Sequence, residues 1–209
     1  MVMVRPGQNM IPPAPGPHRS RSVAGPWPFF GRFPAGLMPL IRRFKNRGLA
    51  RLYTRFPILA RRFTESYTPL SSRDVPWTPL TKPLSESRLA LVTTAGVHHL
   101  DQPPFDMTDP DGDPTFRRLD ADRPRADLTI THDYYDHTDA DRDINVVFPL
   151  DRLRDLEKRG ILGQAARWHY GFMGHIDGRH LETLIHVTAV EAAARLKEDG
   201  ADLVLLTPG

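Results

Sequence analysis

The densest group of chemically active side chains lies between residues 132 and 143. This segment reads HDYYDHTDADRD and holds two histidines and five aspartates within twelve residues. It directly follows an apolar stretch at 128–131 that predicts a short strand. Imidazole and carboxylate groups at the end of a strand can bind a metal, transfer a proton or hold the backbone of a turn. Each of these roles would indicate a different class of protein.

Three interpretations of this segment are open. A metal site would use His132, Asp136 and His137, whose nitrogen and oxygen atoms suit Mg, Mn, Fe or Zn, and would indicate a metal-dependent hydrolase. A substrate site would use His132 as a proton-transfer group oriented by a carboxylate. In a structural role, the aspartates would accept hydrogen bonds from backbone amides in a long acidic turn. The spacing matches no strong metal-binding template, and composition alone favours the structural role.

Two further positions lie where parallel α/β proteins bind ligands. His98 and His99 follow the first predicted strand. Since neighbouring residues on an extended chain point to opposite faces, at most one of them faces a given pocket. The glycine-rich stretch 171–178, GFMGHIDG, precedes a predicted helix, where backbone amides can bind an anion, although a plain turn is the simpler interpretation. We take His98 and Gly174 as candidate substrate-binding residues.

An α/β domain must position these residues. The run RLALVTT at 88–94 is largely apolar, as in a parallel strand that is buried on both faces. The predicted elements are strands at 88–94, 128–131, 167–173 and 202–207 and helices at 150–160 and 180–199. A strand, a long helix and a second apolar strand in succession predict a parallel, Rossmann-like sheet with crossover helices. Residues 101–126, rich in Asp and Pro, are expected to form turns.

The N-terminal part of the chain differs from this domain in charge. Residues 1–83 carry 14 Lys and Arg against two acidic residues, whereas the remainder carries 14 against 23. The predicted regions are a disordered Pro-rich N-terminus at 1–36, a basic amphipathic helical arm at 37–66, a Pro-rich linker at 67–86 and the α/β domain at 87–209. Gly48 and Pro57 predict breaks between two or three short helices in the arm. The arm could pack on its own acidic domain, cover a partner or contact an anionic surface, and nucleic acid is not an expected partner.

Composition narrows the class of protein. The chain has no cysteine, so it carries no disulfide framework and no thiolate nucleophile or thiolate metal ligand. No run of 18 or more apolar residues predicts a membrane-spanning helix. The first residues lack the long apolar core of a secretory signal, and the cytoplasm is the expected location.

Several segments together resemble a known family. They are RLALVTTAG at 88–96, HDYYDHTDADRDINVVFPLD at 132–151, LRDLEKRGILG at 153–163, GFMG at 171–174 and GADLVLLTPG at 200–209. In this order and spacing they resemble selenoprotein B of the glycine, sarcosine, betaine and D-proline reductases. The resemblance covers about residues 85–209 and not the basic arm. It is more specific than any single motif described above.

The resemblance implies reductive cleavage of a bond from carbon to an amino group or another heteroatom, with a low-potential thiol as electron donor. The family's nucleophile, a selenocysteine or cysteine, would come immediately after Gly209. We therefore expect the chain to be the front part of a longer selenoprotein whose translation was taken to end at a UGA codon. Besides that selenocysteine, no cofactor and no metal are expected.

The resemblance also implies roles for individual residues and partners. His132 and Asp143 are the expected catalytic residues, with His132 donating a proton to the departing amine at a pKa near neutrality. Tyr135 and Asp136 match the family pattern as substrate-binding residues, alongside His98. The expected partners are a small amino-acid-like substrate and a thiol reductant protein or partner reductase subunit, in a possible oligomer. Two alternatives stay open, a non-enzymatic binding or scaffold subunit and the metal-dependent hydrolase.

Overall fold

The computed structural model describes residues 38–58, 61 and 78–209. The prediction for residues 1–36 lies outside the described residues, as do the end of the predicted arm and most of the predicted linker.

Short helices and strands alternate through the described chain. The helices are α1 (Met38–Arg55), α2 (Thr138–Arg142), α3 (Leu150–Lys158), α4 (His180–Thr183) and α5 (Ala189–Glu198). The strands are β1 (Arg88–Thr93), β2 (Val97–His99), β3 (Phe116–Asp120), β4 (Leu128–Ile130), β5 (Gln164–Ala165), β6 (Trp168–Phe172) and β7 (Leu203–Thr207). A π-helical turn, Leu184–Thr188, joins α4 to α5, so one helical rod spans 180–198.

The central sheet has the strand order β3-β6-β1-β7, and β5 pairs with the first residues of β1. Strands β5, β6 and β7 run parallel to β1, whereas β3 runs antiparallel to β6. From β6 the chain passes through the helical rod and crosses β1 to reach β7, as parallel strands require. The predicted α/β fold with a mostly parallel sheet and helices is confirmed.

The structure corrects three predictions from the sequence. Strand β3 lies within the stretch 101–126 that was expected to form turns, because its sequence FRRLD lacks the apolar run of a central strand and forms an antiparallel edge. Strand β4 lies where predicted, but it pairs antiparallel with β2 in a separate two-stranded sheet. Helix α1 continues through Gly48, because an exposed glycine in a helix costs only about 1 kcal/mol relative to alanine.

Alternate residues of β1 enter two different cores, which explains its nearly continuous apolar sequence. Leu91 points to the face covered by α3 and packs in one cluster with Leu153. Ala90 points to the other face and packs with Ala192 and Leu196 of α5. Neither Ala90 nor Leu91 has any exposed surface. The sheet is thereby fixed between helices, and its strand ends are held in place.

A histidine bridges the point where β1 changes partner from β5 to β6. The Nδ1 atom of His169 accepts a hydrogen bond from the Leu91 amide at 2.8 Å. The ring is fully buried, and burial, followed by the charge of Arg154, lowers the pKa of His169 to about 3. Neutral His169 therefore takes the place of a backbone acceptor between the two strand pairings.

Candidate functional site

The carboxyl ends of the parallel strands meet at one edge of the sheet. The Thr94 amide donates to the Thr207 carbonyl at 3.0 Å, and the Gly209 amide donates to Thr94 Oγ1 at 3.3 Å. Ala95 forms an antiparallel bridge with Met173, just beyond β6. This carboxyl edge is where open parallel sheets bind ligands.

His132 lies over this edge with both ring nitrogens facing backbone amides. The Tyr134 amide lies 3.1 Å from Nδ1, and the Gly174 amide lies 3.2 Å from Nε2. A neutral imidazole carries a hydrogen on one nitrogen and accepts only at the other, so it can satisfy one of these two donors at a time. The two amides therefore hold the ring in place from both sides.

The ring of His132 is neutral near pH 7. Only 4% of the residue is exposed, and burial, followed by the charges of His175 and His137, lowers its pKa to about 4. The pKa near neutrality expected from the sequence therefore does not hold. The charged imidazolium form is scarcely populated near pH 7, although the neutral ring still has one N–H hydrogen to donate.

Tyr135 connects His132 to the strand end. Its hydroxyl donates to the Ala95 carbonyl at 3.1 Å, and its ring packs against the edge of the His132 ring with centroids 4.8 Å apart. Burial raises the pKa of the Tyr135 phenol, so it remains protonated and keeps donating. The expected substrate-binding residue Tyr135 thus lies at the carboxyl edge, with its hydroxyl engaged.

Glycines allow the close approach of these segments. A Cβ atom on Gly174 would lie 2.9 Å from the Thr94 carbonyl oxygen and 3.2 Å from His132 Nε2. Gly96 has a φ of 74°, and a Cβ there would lie 2.4 Å from the Thr131 carbonyl oxygen. No side chain fits at position 174. Gly174, which was expected as a substrate-binding residue, can therefore bring its amide close to the carboxyl edge.

The aspartates at both ends of the acidic segment hold the backbone. Asp136 accepts from the Thr138 amide at 3.2 Å and from its hydroxyl at 2.6 Å. Asp143 accepts from the Asn145 amide at 3.0 Å and from its side-chain amide at 2.8 Å. These hydrogen bonds lower the pKa of both carboxyls. These contacts are the ones that the structural interpretation of the segment predicts, and the expected roles of Asp136 with substrate and of Asp143 in catalysis remain predictions.

Asp143 and His132 face different surroundings. Asp143 lines a cavity of about 340 Å³ together with Arg125 and Thr129, and His132 is not part of its wall. The hydrogen bonds of the Asp143 carboxylate go to Asn145 and not to an imidazole. The expected orientation of His132 by Asp143 therefore has no contact to support it among the residues described.

His98 lies in β2 with both ring nitrogens engaged. Its Nδ1 lies 2.8 Å from the His99 carbonyl oxygen and its Nε2 lies 2.8 Å from Thr131 Oγ1. Burial is the main reason why the pKa of His98 is lowered. The ring joins the two strands of the small sheet, and its expected role with substrate remains a prediction.

Sequence analysis did not single out Asp133, which follows His132 in the chain and is buried against α1. Its side chain is only 4% exposed and lies 2.6 Å from Arg43 Nε of α1. Five aspartates occur within twelve residues, and the sequence carries no signal that separates the buried one from the others.

The described residues contain no group of three or more His, Cys, Asp or Glu side chains placed to hold a metal ion. His137, one of the three proposed ligands, has its Nδ1 atom 2.8 Å from Asp141 instead. The hydrolase alternative therefore finds no ligand set in this part of the molecule. Within the same residues, no helix is both long enough and apolar enough to cross a membrane.

The fold is that of an α/β protein with a mostly parallel sheet, and the candidate site lies at the carboxyl ends of its strands. The chain belongs to the glycine/sarcosine/betaine reductase selenoprotein B family, whose sequence model matches residues 46–209. The match begins within α1, so the family relationship extends further into the predicted arm than the resemblance over 85–209 indicated.

Several curated proteins similar to this chain are subunits of reductases. The chain is 40% identical over 146 residues to D-proline reductase subunit gamma of Acetoanaerobium sticklandii, which covers 70% of this chain and 58% of that protein. It is 32% identical over 123 residues to sarcosine reductase complex component B subunit beta of Peptoclostridium acidaminophilum, covering 53% of this chain and 26% of that protein.

A third relative is glycine reductase complex component B subunit gamma of Symbiobacterium thermophilum, 31% identical over 149 residues, covering 69% of this chain and 34% of that protein. The match thus spans 58% of the length of the first of these relatives, 26% of the second and 34% of the third. No solved structure matches it.

Proposed function

We propose that this chain supplies the substrate side of a reductase that cleaves a carbon–nitrogen or similar carbon–heteroatom bond in a small amino-acid-like substrate. The observation that carries the proposal is the carboxyl edge, where His132 and the Gly174 amide meet beside the ends of β1 and β7. The names of the relatives support it, since each is a reductase subunit.

The reaction balances with a dithiol as electron donor. The carbon–nitrogen bond breaks, the carbon and the departing amine each gain one hydrogen, and the dithiol becomes a disulfide. The 209 residues contain no cysteine, so the proposal assigns the dithiol to a partner protein or partner reductase subunit. The selenocysteine or cysteine nucleophile implied by the family resemblance remains a prediction, as does an oligomeric assembly.

In this proposal neutral His132 positions the substrate through a hydrogen bond. Because burial lowers its pKa to about 4, the ring can donate its single N–H hydrogen or accept one, but it does not hold a stored charge near pH 7. The backbone amides of Tyr134 and Gly174 face the two ring nitrogens and fix the orientation of the ring. The expected catalytic role of Asp143 stays part of the proposal, to be tested by substitution.

The proposal includes a Rossmann-like arrangement of the sheet and a basic helical arm. The crossover from β6 through the helical rod to β7 supports a Rossmann-like arrangement. Helix α1, which carries Arg43, Lys45 and Arg47, supports a basic helical arm. The cytoplasm remains the predicted location.

The experiment purifies the chain, tagged in its native host, together with the proteins that assemble with it. The complex is given dithiothreitol and, separately, D-proline, glycine, sarcosine or betaine, and consumption of each substrate is followed. Reductive cleavage of at least one is expected, with 5-aminovalerate as the product from D-proline. A complex that contains the chain and consumes none of the four would contradict the proposal.

Substitution in the same complex tests the site. His132→Ala is expected to lower turnover by about a hundredfold. This is the lower end of the range of rate effects for the loss of a positioned proton-transfer group. His186→Ala, on the exposed side of the helical rod, is the matched control and should leave turnover unchanged. Asp143→Asn tests the second predicted residue, and unchanged turnover would remove it from the site.

A further inference from the structure

Another cavity lies at the amino ends of the strands, away from the candidate site. Its volume is about 330 Å³, and small-molecule sites typically measure about 300–1,000 Å³. Its wall includes Asp120, which pairs with Trp168, the first residue of β6. Ala121, also in the wall, donates its amide to the Arg167 carbonyl just before β6. The cavity therefore lies at the amino end of β6, and His132 is not part of its wall.

Much of the cavity wall is apolar. Leu119 and Phe148 are each only 1% exposed and belong to the same core cluster as Leu91. Leu128 and Leu150 pack against that cluster and also line the cavity. An apolar group that displaces water from these side chains would be stabilised by the hydrophobic effect.

Six charged side chains line the cavity, and five of them form ion pairs. These pairs are Asp120 and Asp122 with Arg167, Asp151 with Arg125, and Arg123 with Asp101 and Asp127. Arg154 is the sixth. Its guanidinium donates to the Ala121 carbonyl oxygen and has no ion pair in the part of the chain that the structure describes. The cavity wall thus holds one cation without an opposite charge.

The charge of Arg154 also reaches the interior of the domain. Arg154 is a partly buried residue of α3. After burial, its charge is the largest cause of the lowered pKa of His169, whose ring packs edge-on against Phe148 of the cavity wall. Water screens charges weakly in such surroundings, so an anion beside Arg154 would be attracted more strongly than on an open surface.

We propose that this cavity binds a small organic carboxylate with an apolar body, and that the carboxylate pairs with the guanidinium of Arg154. A guanidinium has five N–H donors in a planar fork that matches the two oxygens of a carboxylate. The apolar body contacts Phe148 and Leu128. The site lies apart from the carboxyl edge, so the inference goes beyond the proposed function and does not depend on it.

Isothermal titration of the full chain at low ionic strength tests the inference with four probes. Benzoate and isovalerate carry a carboxylate on an apolar body, benzamide has the shape of benzoate without its charge, and acetate has the charge without the body. The variants are Arg154→Gln, Arg154→Lys and the control Arg152→Gln. Arg152 lies in the same helix, but its side chain is 66% exposed and pairs with Asp155. Circular dichroism checks that each variant is folded.

The unchanged chain should bind benzoate and isovalerate about tenfold or more tightly than benzamide and acetate. Arg154→Gln should weaken the binding of both anions about tenfold or more, the usual range for a hydrogen bond to a charged group, and leave benzamide unchanged. Arg154→Lys should weaken it less, because an ammonium keeps the charge without the fork. Arg152→Gln should bind all four probes as the unchanged chain does.

Nitrogen-15 chemical shifts of the unchanged chain locate the site. Benzoate should shift the amide resonances of Ala121, Leu128 and Arg154 and leave those of Thr94 and Gly174, at the carboxyl edge, in place. This measurement gives an answer even if Arg154→Gln does not fold.

Three results would overturn the inference. One is that neither benzoate nor isovalerate binds the unchanged chain, or that benzamide binds as tightly as benzoate. The second is that folded Arg154→Gln binds both anions as before. The third is that benzoate shifts only resonances at the carboxyl edge.

Discussion

The molecule contains two regions in which a buried neutral histidine accepts a hydrogen from a backbone amide, and they differ in how many donors surround the ring. At the junction of β5 and β6, His169 faces one amide, that of Leu91, and its ring packs edge-on against Phe148. At the carboxyl edge, His132 faces two amides. The Nδ1 atom of His169 accepts from its one amide, and its Nε2 atom has no hydrogen-bond partner in the part of the chain described. His132 can accept from only one of its two amides at a time.

The difference separates a histidine that holds the fold from one that can serve a ligand. His169 fills the gap between two strand pairings in the centre of the sheet, where its Nδ1 atom accepts from the Leu91 amide. His132 lies at the end of the strands instead, where each of its ring nitrogens faces a backbone amide and neither tautomer is favoured by a single donor.

The largest expected effect is on stability at the strand junction. His169→Ala should lower the free energy of unfolding by about 3–5 kcal/mol, because it opens a cavity and leaves the Leu91 amide without an acceptor. His132→Ala should lower the free energy of unfolding by only about 1–2 kcal/mol. The substitution removes packing, but water can reach the edge of the sheet and accept hydrogen bonds from the two amides. Urea denaturation of both variants measures the contrast, and equal losses would remove the distinction.

The second expected effect is a loss of stability in acid. Both histidines have folded-state pKa values, about 4 for His132 and about 3 for His169, below their ordinary value of 6.5. Below pH 6.5 the unfolded chain binds protons that the folded chain does not, so stability is complete above about pH 7 and falls as the pH decreases towards 4. Urea midpoints measured between pH 7.5 and 4.5 test this sign.

The two histidines also give the control for that measurement. His169→Ala removes one titrating group and should flatten the decline, and the same is expected of His132→Ala. A folded chain whose stability is constant or rises between pH 7.5 and 4.5 would contradict the burial of both neutral rings.

The smallest effect, and the sharpest comparison, concerns the tautomers. His169 should hold its hydrogen on Nε2 alone, because Nδ1 accepts from Leu91. His132 should exchange between the two neutral forms, since an amide faces each nitrogen at nearly the same distance. Nitrogen-15 chemical shifts near pH 7 distinguish the forms, and a ligand with a carboxylate should shift His132 towards one of them without changing His169. Identical single tautomers in both rings would contradict this difference between the two histidines.

Much of the fold was predictable because neighbouring residues encode it. The apolar runs of β1 and β7 and the helical spacing of α3 and of the rod at 180–198 indicated strands and helices in the places where they occur. Strand β3 was missed because its two arginines conceal an edge strand, which needs only one apolar face. Glycine predicted a helix break in α1 that its modest cost in free energy does not impose.

Less of the candidate site was predictable. The sequence indicated His132, Tyr135 and Gly174, and the structure brings them together at the carboxyl edge. It also indicated Asp136 and Asp143, which hold turns, and it did not distinguish Asp133 from them. The residues next to an aspartate do not show whether its side chain caps a turn or is buried against a distant arginine.

The sequence by itself determined the class of fold, the contrast between a basic N-terminal part and an acidic domain, and the family, since each depends on composition or on the order of nearby residues. Only the tertiary structure decided which charged and imidazole groups meet. The Gly174 amide and His132 are 42 residues apart, Leu91 and His169 are 78 apart, and Arg43 and Asp133 are 90 apart. Burial and hydrogen bonding set the pKa of these groups, and both arise only when distant segments pack against one another.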